Sequence, residues 1–70
     1  MVNCDDLIYD LIFSEKRDYV IDMSEYVDLY GYEDFVEEIK LILKKSDIKI
    51  IKSVILVDSK TAQWELKIKK

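Results

Sequence analysis

Seventy residues, half of them apolar and carrying a net charge of −4, describe one small folded domain spanning 1–70 and exclude a disordered chain. The chain has no histidine, a single cysteine and no proline. That removes the commonest general base, a Cys–His nucleophile pair, a zinc site and an internal disulfide. No apolar run approaches the roughly 20 residues that cross a bilayer, and the acidic start lacks the basic flank of a secretory signal. The expectation is a non-enzymatic cytoplasmic protein (in the host cytoplasm if viral) with no cofactor and no bound metal.

The modest net charge hides two opposed blocks. Residues 1–38 hold twelve acids against Lys16 and Arg17, a balance of −10, and residues 39–70 hold nine lysines against Asp47, Asp58 and Glu65, a balance of +6. Such blocks either solvate separate faces and attract each other on folding, or aim an acidic surface at a basic partner.

In chain order, residues 4–14 predict a first helix, with Cys4, Leu7, Ile8, Leu11 and Ile12 on one stripe. Asn3 suits its N-cap, Val2 and Leu7 a hydrophobic staple, and Asp5 and Asp6 the positive end of its dipole. Ser14–Arg17 is polar and reads as the exit. Asp18–Ser24 alternates as a half-buried strand, with Tyr19, Ile21 and Met23 on one side and Asp18, Val20, Asp22 and Ser24 on the other. Acids on the open side suit an edge strand. Glu25–Tyr32 reads as either a short helix capped by Ser24 or an extended connection. Its Tyr26, Tyr30 and Tyr32 suit either a thin core or an interface.

Glu33–Ser46 predicts the principal amphipathic helix. Tyr32, Phe35, Val36, Ile39, Ile42 and Leu43 recur at helical spacing, and acids open it while Lys44 and Lys45 close it. Gly31, the chain's one glycine, precedes it at a cap position. Ile48–Val57 is rich in branched residues and predicts a strand. Its alternation breaks near Ile51–Lys52, which calls for a β-bulge. Asp58–Lys60 is a turn. Thr61–Lys69 then alternates with Ala62, Trp64, Leu66 and Ile68 inward, closing an antiparallel hairpin. The expected architecture is an α+β domain in the order α-β-α-β-β. Two helices pack on one face of a small, mostly antiparallel three-stranded sheet.

The remaining chemistry is that of recognition. The paired carboxylates Asp5–Asp6, Glu33–Asp34 and Glu37–Glu38 lack a calcium-loop pattern and read as solvated charge at helix starts. The C-terminal lysines could meet nucleic acid, but that half has no arginine, Trp64 lies on the inward phase, and the acidic half repels phosphate. Carboxylates spaced along a strand and a helix can instead imitate a row of backbone phosphates.

Here Tyr19-Val20-Ile21-Asp22-Met23-Ser24, followed by Glu33-Asp34-Phe35-Val36-Glu37-Glu38-Ile39, resembles the phage uracil-DNA glycosylase inhibitors. The resemblance lies in pattern over residues 3–39 and not in identity, and this chain has fewer strands. It implies a DNA-mimic inhibitor in which a strand enters the DNA groove of the enzyme and acids of a helix follow. By position, Asp22 and Ser24 match polar members of that strand, whereas Met23 stands for a glutamate and Glu25 for an isoleucine. The family's hydrophobic pocket for an enzyme residue would map to Phe35, Val36, Ile39 and Ile55. The start of the chain is also similar to a small acidic anti-CRISPR inhibitor of a Cas nuclease.

The resulting expectation is a protein that blocks a basic DNA-binding groove, most concretely that of uracil-DNA glycosylase, with a Cas nuclease as the alternative target. Its contact set is Asp22, Ser24, Glu25, Glu33, Asp34, Glu37 and Glu38 for polar contact, with Val20, Met23 and Tyr26 for apolar contact. It would bind no nucleic acid and no membrane directly, and would be a monomer or homodimer. The other class of function is a small assembly module that pairs with itself or another subunit.

Overall fold

The structure is a computed structural model that describes residues 4–70. The capping roles of Asn3 and Val2 lie outside the described residues. Helix α1 spans Cys4–Phe13, strand β1 Asp18–Asp22, helix α2 Tyr32–Lys45, strand β2 Lys49–Val57 and strand β3 Ala62–Lys69. The three strands form one sheet in the order β1-β3-β2, and both pairings are antiparallel. The architecture is the expected α+β domain, with the sheet antiparallel throughout.

β3 is central because every second side chain on it can be fully buried. Ala62, Trp64, Leu66 and Ile68 are all inward, and Trp64 is 0 % exposed. Opposite them on β1 stand Tyr19 and Ile21, paired with Leu66 and Trp64. Leu7 and Leu11 of α1 and Phe35, Val36, Ile39 and Leu43 of α2 complete a single core. The indole Nε1–H of Trp64 donates to Ser53 Oγ at 2.8 Å, so the largest buried ring leaves no unpaired donor.

Three local devices set the chain's course. α1 is tied to β1 through the Tyr19 hydroxyl, which donates to the Asp10 carbonyl at 3.1 Å and lies 3.0 Å from Ser14 Oγ. α2 ends with Asp47 in the left-handed region (φ 61°). The Asp47 N–H donates to the Lys44 carbonyl and the Ile48 N–H to the Leu43 carbonyl, which is a Schellman ending made without glycine. The break in β2 is the expected bulge, a register shift between Ile50 and Lys52.

Some expectations need correction. β1 stops at Asp22, not at Ser24. Residues 23–31 are neither one short helix nor an extended link but two 3₁₀ turns, Met23–Glu25 and Leu29–Gly31. Asp22, not Ser24, caps the first, because its carboxylate accepts from both the backbone N–H and the hydroxyl of Ser24. Gly31 is the N-cap of α2, as its position suggested, but its φ of −101° is ordinary and a Cβ there would meet nothing closer than Val27 at 3.9 Å.

Candidate acidic interface

Antiparallel pairing gathers much of each charge block at its own end of the molecule, although Asp18 and Asp47 stay among the lysines and Lys60 lies at the other end. β1 and β2 start where β3 ends. Lys16 and Arg17 before β1, Lys49 and Lys52 on β2, and Lys67, Lys69 and Lys70 at the close of β3 therefore share one end of the sheet. Lys44 and Lys45 join them, because α2 ends directly before β2. Lys70 Nζ donates to the Ser14 carbonyl, which anchors the tail there.

The other end is acidic. Asp22 closes β1, Glu25 and Asp28 follow it, and Glu33, Asp34, Glu37 and Glu38 occupy the first two turns of α2. The start of α1 reaches the same end. Tyr26 feels the charge of Asp6, and Cys4 feels those of Asp5 and Glu38. Both helices thus direct their positive dipole ends towards the acids, which stabilises the clustered carboxylates. Burial, together with the charges of Asp5 and Glu38, pushes the Cys4 thiol above its ordinary range. Burial likewise raises the Tyr26 phenol, helped by Glu25, Cys4 and Asp6.

Between α1 and β1 a cleft of about 380 Å³ runs from this end towards the basic one, lined by Asp6, Asp10, Asp22 and Glu25, with Val20, Tyr26 and, at its basic end, Lys16 on its walls. Tyr26 is held there by stacking on Phe35, with ring centroids 5.6 Å apart. Lys16 lies over the ring of Tyr19, 4.8 Å from its centroid, so one cation guards the cleft.

The expected contact residues divide accordingly. Val20 is exposed, and Val20, Asp22, Glu25 and Tyr26 share the cleft. Ser24 is exposed beside Asp22. Glu33, Asp34, Glu37 and Glu38 are exposed on α2. Met23 is a correction: it is 0 % exposed, because the inward phase of β1 carries through it into the core, so it offers a partner no surface. The proposed hydrophobic pocket is a second correction. Phe35, Val36 and Ile39 are closed into the core, whereas Ile55 stands exposed on β2.

Sequence reasoning missed the contribution of α1. Asp6 and Asp10 stand at i and i+4, one above the other, and bring α1 into the acidic surface. Tyr9 and Phe13, also at i and i+4, expose 66 % and 68 % of their surface as an aromatic pair 4.8 Å apart. The same helical spacing that buries Leu7 and Leu11 puts Asp6, Tyr9, Asp10 and Phe13 together on the outer side of α1.

Among the described residues no group of three or more acidic or thiol side chains is arranged to hold a metal ion, and no helix is long and apolar enough to cross a membrane. Comparison with protein-family models, curated proteins and solved structures finds no match to this chain. The functional reading therefore rests on the charge geometry just described.

Proposed function

We propose that this protein is a non-enzymatic inhibitor whose acidic end occupies the DNA-binding groove of a host enzyme, with uracil-DNA glycosylase as the first target to test. The observation that carries this reading is the separation of charge. Carboxylates from α1, β1, the first 3₁₀ turn and α2 gather at one end of the sheet, and most of the lysines stand at the other. Clustered negative charge steers a basic groove towards it from a distance. Val20 and Tyr26 supply apolar area to hold the complex once it has formed.

The test is a stoichiometric titration of glycosylase activity. Inhibition that saturates at an equimolar ratio and weakens steeply with salt is expected. The double charge reversal Asp6→Lys, Glu25→Lys should slow association by roughly tenfold or more. Full glycosylase activity in excess inhibitor removes this target, and the same titration against a Cas nuclease then decides the alternative.

A further inference from the structure

We infer that β2 is the seam of a symmetric homodimer in which residues 52–58 of two copies pair antiparallel about Ile55, extending each three-stranded sheet into one of six. The inference does not rest on the cleft between α1 and β1, which lies at the opposite edge of the sheet from β2.

β2 is an edge strand with almost none of the usual protection. It is nine residues long and pairs only with β3. Native edges are commonly short, charged, bulged or covered. Here the bulge and both lysines lie in the first half, at Lys49, Ile51 and Lys52. The second half, Val54-Ile55-Leu56-Val57, is apolar on both faces and 36–52 % exposed. Neither helix covers it.

Hydrogen-bond parity shows which backbone groups are free. The Asp58 N–H donates to the Thr61 carbonyl, so Asp58 faces β3. Antiparallel ladders alternate, so Leu56, Val54 and Lys52 also face β3, whereas Val57, Ile55 and Ser53 turn their N–H and C=O groups to the open edge. The opposite side of β3 agrees, because the Ile68 N–H donates to the Arg17 carbonyl, towards β1. Three consecutive outward residues with no bulge among them form a regular template.

Charge selects a second copy as the occupant and Ile55 as the centre. In that register Ile55 meets its own counterpart, Ser53 meets Val57 of the other copy, and Lys52 meets Asp58 of the other copy twice, by symmetry. Lys52 and Asp58 lie on the same, helix-free face of the strand, so the ammonium approaches a carboxylate that its own hairpin turn holds in place through Lys60 and Thr61. Centring the pair on Val54 sets Asp58 against Ile50, and centring it on Leu56 sets Lys52 against Lys60. Within β2–β3 Lys52 already faces the like charge of Lys67, and a carboxylate across the seam relieves that repulsion. Antiparallel pairing also brings the basic end of one copy level with the acidic end of the other. The contact is isologous and closes at two copies.

Sedimentation of the full chain over a concentration series tests this, together with amide hydrogen exchange. A reversible monomer–dimer equilibrium is expected, with the Ser53, Ile55 and Val57 amides becoming slow to exchange as concentration rises. Ile55→Lys places two cations across the axis and should leave a monomer whose β1–β3 amides remain protected, which distinguishes a lost dimer from a lost fold. Lys52→Glu should weaken the dimer by roughly tenfold. A wild-type chain that stays monomeric into the millimolar range overturns the inference. So does a dimer that persists in Ile55→Lys, or concentration-dependent protection confined to other segments.

Discussion

The two edges of this sheet solve the same problem in opposite ways. β1 is five residues long, places Asp18, Val20 and Asp22 on its open side, and buries Tyr19 and Ile21 under α1. β2 is nearly twice as long, carries apolar side chains on both faces, and has no helix over its second half. Both pair with the same strand, so β3 cannot account for the contrast. The difference teaches that edge exposure here is a property of which strand a helix covers. α1 is pinned to β1 by the Tyr19 hydroxyl, whereas Val54–Val57 of β2 stay 36–52 % exposed.

The strand common to both edges should give the largest loss. Trp64→Ala empties the centre of the core and is expected to cost about 3–5 kcal/mol, measured by denaturant unfolding. Matched truncations then separate the edges. Ile21→Ala on β1 removes a buried side chain and should cost about 2–4 kcal/mol. Leu56→Ala on β2, measured in dilute solution, should cost less than about 1 kcal/mol. Equal losses would mean that β2 is covered in solution even when dilute.

The edges should also fail at opposite pH. Burial, with the Asp10 contact, raises the Tyr19 phenol above its ordinary range although the Ser14 hydrogen bond opposes the shift. A raised folded pKa gives stability that is complete below the unfolded value near 10 and is lost as pH rises through the folded one. Tyr19→Phe should therefore remove part of the alkaline decline and cost about 1 kcal/mol at neutral pH. At the far end of β2, N–H donors from Lys60 and Thr61 and the Thr61 hydroxyl hold the Asp58 carboxylate below its ordinary range. Its contribution is present above the unfolded value near 4 and is lost as pH falls through the folded one. Hairpin amides should open first in acid, which hydrogen exchange can follow. The smallest effect is expected where α2 hands the chain to β2. Asp47→Gly relieves a positive φ and should raise stability by up to about 1 kcal/mol, read as a higher unfolding midpoint.

Much of this was legible in the residues. Strict alternation in Thr61–Lys69 marked the inward set of β3, and helical spacing marked the buried face of α2, because both patterns are geometric consequences of strand and helix. The broken phase at Ile51–Lys52 announced the bulge for the same reason. The candidate site was less legible. Acids can be counted along the chain, but helical spacing accounts for Asp6 as charge at a helix start and gives no sign that Asp6 and Asp10 stand beside Asp22 and Glu25. Met23 shares the inward phase of Tyr19 and Ile21, so the alternation that places it on the strand also removes it from the contact surface.

Local chemistry by itself determined the two helices, the three strands, the core-facing side of each and the two opposed charge blocks, since these follow from side-chain spacing and composition. Only tertiary structure decided that β3 lies between β1 and β2, because strand order depends on which inward faces can be buried together. That single choice gathers most of the lysines at one end of the sheet and many of the acids at the other, and leaves β2 as an open edge.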